Sequence, residues 1–536
     1  MTSVVPAQVS LHVCLRALLL LLMLTWCQGA VRNYYIASRD VLWNYCPGGV
    51  NLVDPNDQVT ADKYVVPGTS RVGSKRLKTL FFQYTDQTYT TEMVKPAYQG
   101  LLGPIIRGEV GDVIVVYFFN NASRNYSIHP HGVFYEKKSE GALYLDGTSG
   151  ISKEDDSVMP GCRVTVTWNV TVSDAPAEGD PACLPWVYHS HINTRRDVST
   201  GMIGVVVTCK PGTLNSKNER VDVDVEVPLF VMNWDENISW HHRDNINTFC
   251  LSPSTCQHLA DSSDPGFVDS NLMRSVNGRS FGTLEGLEVC VGDRVQFYVI
   301  GFGNEMDVHS MHFHGQNLKY QHRSYDMEKF ISQVPHQVHL YIFYPSRGDT
   351  VSVYSATFVA VATRPSNPGR WLIADFVDDH QKEGTAAFYN VKTCPNKGYK
   401  RYPSRDGYSG TTREFFLTAE EITWNYGPTG LDGRTMLPLT TAGSPSNLYF
   451  NLNQTRLGGV YKKAKFIQYT SSLFCTKVSS SPKDAHLGIL GPVLRVEVGD
   501  RVVVTLKNLL PFPVSFLTHG LSYDVAEEDK GEPTVF

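Results

Sequence analysis

Apolar positions along the chain alternate with polar ones in period two, not in the three-to-four spacing of an amphipathic helix. In one run Val113, Val115 and Tyr117 face one way and Ile114, Val116 and Phe118 the other, directly after a Gly111-Asp112 turn. Gly-Asp turns ahead of similar runs return at Gly292-Asp293 and Gly499-Asp500. Short strands of this kind, punctuated by Gly and Pro, predict an all-β fold of sandwich domains.

The pattern repeats over long distances, which marks internal duplication. Residues 101–136, LLGPIIRGEVGDVIVVYFFNNASRNYSIHPHGVFYE, align without a gap on residues 489–524, ILGPVLRVEVGDRVVVTLKNLLPFPVSFLTHGLSYD. The starts of the two units match as well: YYIASRDVLWNY ends at Tyr45 and FFLTAEEITWNY at Tyr426. A weaker copy lies between them, where VCVGDRVQFYVI leads to DVHSMHFHG. Unit one is placed at 31–211, unit two at 212–395, a polar linker at 396–414 and unit three at 415–536. The third unit stops soon after its His-Gly motif, before the strands that would close a sandwich. The chain therefore reads as a shortened product or a fragment, with apolar faces and edges left uncovered.

Composition narrows the class. The net charge is −5 with Lys and Arg scattered, which excludes the basic face that nucleic acid requires. Arg16 precedes an apolar run from Ala17 to Trp26, and small residues follow at Gly29 and Ala30, so 1–30 reads as a signal peptide. No later stretch approaches the roughly 20 apolar residues of a membrane helix. Beyond the leader nine cysteines remain, Cys46, Cys162, Cys183, Cys209, Cys250, Cys256, Cys290, Cys394 and Cys475. An oxidising compartment makes disulfides their default, and the odd number leaves at least one unpaired or paired outside the chain. Cys250 and Cys256 are near enough in sequence to pair. Sequons at Asn121, Asn125, Asn169, Asn237 and Asn453 suit an extracellular surface.

Histidines concentrate the chemistry. Unit one carries His129-Pro-His131-Gly and Tyr188-His189-Ser-His191; unit two carries His309-Ser-Met-His312-Phe-His314-Gly and Asp379-His380. On a strand, H-x-H sets two imidazoles on one face, about 7 Å apart. Two facing pairs make a pocket of imidazoles, which suits copper, zinc or iron. A surface pair of histidines explains one such motif, not this set.

The segments HPHGVFYEKKSEGALYLDGTSG, DPACLPWVYHSHINTRRDVSTGMIG and GNEMDVHSMHFHGQ resemble the hephaestin and ceruloplasmin family of multicopper ferroxidases, over essentially the whole mature chain. The coagulation cofactors share the fold and are more distant. The resemblance implies tandem cupredoxin domains. It also implies type 1 coppers within single domains and a trinuclear type 2/type 3 copper cluster between the first and last domains. There oxygen is reduced to water with ferrous iron as electron donor, outside the cell. It further implies an iron exporter as cell-surface partner, and membrane anchoring where a longer form carries a C-terminal anchor. By resemblance His129, His131, His189 and His191 are the first domain's half of the cluster. His312 and His314 match the last domain's H-x-H, and His309 and His380 match the type 1 histidines. Glu305, Asp269 and Asp379 match iron-binding acids, and Asp155 and Asp156 match calcium ligands. Cys183–Cys209 and Cys290–Cys394 match family disulfides.

The departures put activity in question. Asp375 stands at the type 1 cysteine, Ala374 and Phe376 at the flanking cluster histidines, Thr385 at the axial methionine, and Arg274 where the iron site has a histidine. A blue copper needs a thiolate. With Asp375, His309 and His380 could hold copper or zinc, but not a blue copper, so the type 1 centre of the second domain is the one in doubt. Two functions follow: a copper-dependent ferroxidase, or a redox-silent, copper-binding or cofactor-like cupredoxin protein that has lost turnover.

Overall fold

The computed structural model describes residues 29–304, 306–320, 346–395, 410–479 and 481–523. Residues 1–28, Glu305 and most of 396–414 lie outside the described residues. The chain divides into two compact units, residues 1–401 and 402–536.

The first unit holds two β-sandwiches. The earlier one is built from β1 (Val31–Asn44), β2 (Lys75–Tyr84), β3 (Ile106–Glu109), β4 (Val113–Asn120), β5 (His129–Pro130), β6 (Phe134–Tyr135), β7 (Arg163–Asn169), β8 (Cys183–His189) and β9 (Ile203–Cys209). Its sheets run β2-β1-β4-β7-β6 and β3-β9-β8-β5. Along β4 burial alternates residue by residue, with Ile114, Val116 and Phe118 inside. The later sandwich uses β10 (Val225–Asp235), β11 (Leu272–Val276), β12 (Glu288–Cys290), β13 (Val295–Gly301), β14 (Val308–Phe313), β15 (Leu318–Tyr320), β16 (Ser346–Gly348), β17 (Thr350–Tyr354), β18 (Thr357–Thr363), β19 (Gly369–Asp375) and β20 (Ala386–Lys392). Its sheets run β11-β10-β13-β18-β15-β16 and β12-β20-β19-β14-β17.

The second unit contains β21 (Thr412–Asn425), the short pair β22 (Leu452–Asn453) and β23 (Arg456–Leu457), then β24 (Val460–Tyr469) and β25 (Arg501–Asn508). Its main sheet, β24-β21-β25, has the same pairing as β2-β1-β4 and β11-β10-β13. In all three the first strand pairs antiparallel with one neighbour and parallel with the strand after the Gly-Asp turn. The turn itself has a local cause. Gly111, Gly292 and Gly499 take φ of 95°, 85° and 95°, a region open to glycine at no steric cost. The following Asp112, Asp293 and Asp500 then accept the backbone N–H of Glu109, Cys290 and Glu497.

The two sandwiches of the first unit share a core. Tyr45, Leu80, Val187 and Val205 of one pack in a single apolar cluster with Phe230, Trp234, Tyr298 and Ile300 of the other. A polar joint is buried beside it. The Lys78 ammonium pairs with Glu236 and donates to the Tyr45 hydroxyl at 3.0 Å and the Ser199 carbonyl at 2.5 Å. Disulfides join Cys183–Cys209, Cys250–Cys256 and Cys290–Cys394; Cys46, Cys162 and Cys475 are free thiols. Cys183 and Cys209 sit directly opposite on β8 and β9, so this bridge pins the strand that delivers His189.

Candidate metal centres

The four histidines of the first sandwich converge. His129 lies directly opposite His189 across β5 and β8. Ring centroids of His129 are 5.2 Å from His131, 5.5 Å from His189 and 5.0 Å from His191. Antiparallel pairing explains this, because opposed residues share a face of the sheet. His129 Nδ1 donates to the Glu140 carbonyl at 2.7 Å, and His189 Nδ1 donates to the Ser190 carbonyl at 2.8 Å. A carbonyl only accepts, so each ring keeps its lone pair on Nε2. The His131 and His189 Nε2 atoms then stand 3.0 Å apart, and without metal His131 must supply the proton between them. Burial lowers all three pKa values: downward for His129, to about 4 for His131 and to about 3 for His189. At neutral pH these are uncharged imidazoles, the form that binds metal. The donor set fits copper.

The supports come from residues outside the histidine motifs. Asp197, fully buried on the helix Thr194–Thr200, accepts from Ser190 Oγ (2.8 Å), Ile192 N (3.0 Å), Asn193 N (3.0 Å) and Trp240 Nε1 (2.7 Å). It thereby fixes the loop that carries His191. Ser127 Oγ accepts the His191 N–H at 2.9 Å and donates to the Gly141 carbonyl at 2.6 Å. Gly132, at φ 69°, packs on Trp186; an added Cβ would lie 2.2 Å from the indole.

The second sandwich repeats the framework with other side chains. His131 N–H donates to the Val187 carbonyl, and His314 N–H to the Leu372 carbonyl. Gly315 takes φ 67° and packs on Trp371 as Gly132 does on Trp186. In this register His312 faces Ala374 where His129 faces His189. His312 and His314 rings lie 4.5 Å apart, and Phe376 stacks on His312 at 4.6 Å. One layer inward, His309 Nδ1 is 2.6 Å and His380 Nδ1 3.0 Å from the same oxygen, Asp375 Oδ2. The three side chains are buried and offer ligand atoms within 4.8 Å of one another. Asp375 Oδ1 accepts from Ser310 N (2.8 Å) and Val377 N (3.1 Å). Burial works against both charges. Hydrogen bonds outweigh it, from His309 and His380 on the Asp375 carboxyl, which is held far below its usual range, and from Asp307 and Asp375 on His309, which is raised. No thiolate is present, so this donor set does not fit a blue copper.

Two acidic candidates differ in setting. Asp155 and Asp156 are buried, and each leaves one oxygen, Oδ1, with no hydrogen-bond partner among the described residues. Asp155 accepts from Gly141 N and Asp156 from Lys153 Nζ, both at 2.6 Å; burial raises the Asp155 pKa. Asp269 is engaged by two cations, Lys63 and, at 3.8 Å, Arg274, which also pairs with Glu383 at 2.6 Å. Asp379 is exposed on the helix Asp378–Lys382. The third member of that set, Glu305, lies outside the described residues. Histidine spacing alone pointed to neither Asp197 nor Asp307. Their side-chain hydrogen bonds reveal them, although both stand a few residues from a histidine motif.

Residues 83–212 and 251–393 each match a sequence family described as multicopper oxidase. Mouse hephaestin is 42% identical over 95% of this chain and 41% of its own length. Mouse ferroxidase HEPHL1 is 41% identical over 93% of this chain and 41% of its own length, and human ceruloplasmin 37% over 93% and 44%. The chain thus spans less than half the length of these relatives. Paired sandwiches, a four-imidazole pocket on facing strands and these likenesses lead to one conclusion: the chain belongs to the multicopper oxidase family, in the company of hephaestin and ceruloplasmin.

Proposed function

We propose that this chain supplies half of an oxygen-reducing type 2/type 3 copper centre in an extracellular ferroxidase, a protein that oxidises four Fe(II) to Fe(III) while one O2 and four protons become two waters. The observation that carries the reading is the pocket of His129, His131, His189 and His191, in which two rings are oriented by backbone carbonyls and burial keeps His129, His131 and His189 uncharged. Copper bound there would supply the redox chemistry. The protein's part is to present Nε2 lone pairs at neutral pH, to hold the rings against rotation, and to exclude competing protons by burial. Asp155 and Asp156, with two orphaned buried oxygens beside the Glu140–Gly141 segment, support a calcium ion that would stiffen the loop bonded to His129. Glu305, Asp269 and Asp379 remain the iron-binding proposal, and an iron exporter at the cell surface the proposed partner.

Asp375 favours a second reading, in which this chain binds copper without turning over, because the thiolate route for electrons is missing. Oxygen-dependent Fe(II) oxidation by the purified, glycosylated, copper-loaded chain separates the two. Turnover above the free-metal background, lost in His129→Ala, supports the ferroxidase. Bound copper without turnover supports the silent form.

A further inference from the structure

We infer that the second sandwich binds a borderline divalent cation, Zn(II) or non-blue Cu(II), through His309 Nδ1, His380 Nδ1, Asp375 Oδ2 and the Thr385 hydroxyl. The inference stands apart from the ferroxidase reading, since it needs no turnover and no first-sandwich copper.

Three observations carry it. The first is convergence: both Nδ1 atoms point at one carboxylate oxygen, at 2.6 and 3.0 Å, within a buried cluster. The second is that each ligand is oriented from behind. Asp307 Oδ1 lies 3.3 Å from His309 Nε2, a carboxylate-histidine pair that leaves Nδ1 as the inward nitrogen. The Asn233 amide lies 3.4 Å from His380 Nε2 on the far side of that ring. Ser310 and Val377 N–H groups hold Asp375 Oδ1, which leaves Oδ2 for the centre. The third is unspent hydrogen-bonding capacity. Thr385 Oγ1 and Asn233 Oδ1 are buried with no partner among the described residues. Thr385 is fully buried, and its backbone bonds to both His380 and Asp375. Rotation of the Asn233 amide would let Oδ1 accept from His380 Nε2–H once Nδ1 is given to a metal.

Two imidazoles with two oxygens form a set that zinc and non-blue copper accept and that hard calcium does not. The charges also close: the Asp375 and Asp307 carboxylates balance a 2+ ion held by neutral rings. Such an ion would tie β14, β19 and the helix Asp378–Lys382 together without carrying electrons.

The test is zinc titration of the metal-free full chain by calorimetry, with bound metal counted by elemental analysis, in wild type, Asp375→Asn and Thr385→Val. Asp375→Asn keeps the side-chain shape, and circular dichroism checks that it folds. The expected result is one fewer zinc per chain, or at least about tenfold weaker binding at one site, in Asp375→Asn, with a smaller loss in Thr385→Val. In parallel, Asp375→Cys loaded with Cu(II) should gain an intense visible thiolate-to-copper band that wild type lacks. Unchanged zinc stoichiometry and affinity in folded Asp375→Asn overturns the inference, as does a Cu(II)-loaded Asp375→Cys chain with no such band.

Discussion

The two sandwiches of the first unit hold their histidines on corresponding strands and use them in opposite ways. In the first, His129 and His131 are completed by His189 and His191, while the inner positions are Tyr126 and Ser190. In the second, His312 and His314 face Ala374 and Phe376, and the inner positions become His309 and Asp375. One sandwich gathers four imidazoles and has neither a histidine nor a carboxylate at its inner positions. The other pairs charges in its inner layer and caps its outer histidines with apolar side chains. The backbone framework is shared; two side chains at the end of one strand decide whether the outer imidazole pocket is completed, and the inner carboxylate-histidine cluster needs His309, Asp375 and His380 as well.

The sharpest way to break the comparison is to exchange those side chains. His189→Ala with His191→Phe gives the first sandwich the second's outer pattern. Its copper affinity should fall by more than about a hundredfold, since two ligands leave together. The reverse pair, Ala374→His with Phe376→His, should add copper binding to the second sandwich. Counting copper per chain by elemental analysis reads both, and no gain in the reverse pair would show that more than two positions separate the sites.

A smaller effect is expected at Asp197. Its carboxylate holds four groups around the His191 loop, so Asp197→Asn should weaken copper binding at the first sandwich by roughly 10- to 100-fold. Zinc binding at the second should not change. Equal losses at both would mean that Asp197 acts on global stability and not on ring position.

The smallest effect is one of sign. His131 and His189 have lowered pKa values, so the unfolded chain binds more protons there, and the metal-free first sandwich loses stability as pH falls from about 6.5 towards 4. His309 is raised, so its contribution is complete below the unfolded value near 6.5 and is lost as pH rises through its folded value. Followed by NMR in the metal-free chain, the ring resonances of His131 and His189 should therefore titrate below about pH 6.5 and that of His309 above it. A single group would remove the contrast.

Much of this was legible in the sequence. Period-two alternation and Gly-Asp turns marked strands such as β4 and β13 because the physics is local: pleat, positive φ and a side-chain cap. The H-x-H motifs marked the candidate ligands, and Asp375 was visible as the departure from a thiolate. What one dimension hides is what faces what. That His129 opposes His189, that Asp375 meets His309, and that Lys63 reaches Asp269 all depend on strand register or on chain segments far apart in sequence. The buried Lys78–Glu236 joint between sandwiches is of the same kind. Removing one member of such a pair costs about 3–5 kcal/mol, yet neither residue looks unusual in its local sequence.

The glycine after each H-x-H pair has a further meaning for how this protein can change over generations. Gly132 and Gly315 lie flush against Trp186 and Trp371, and neither position has room for a side chain. Inheritance can therefore rewrite the ligands while the exit of the chain from the sheet stays frozen. The indole-glycine contact works as a jig: a duplicated copy can change the side chains around it without first having to reinvent its backbone.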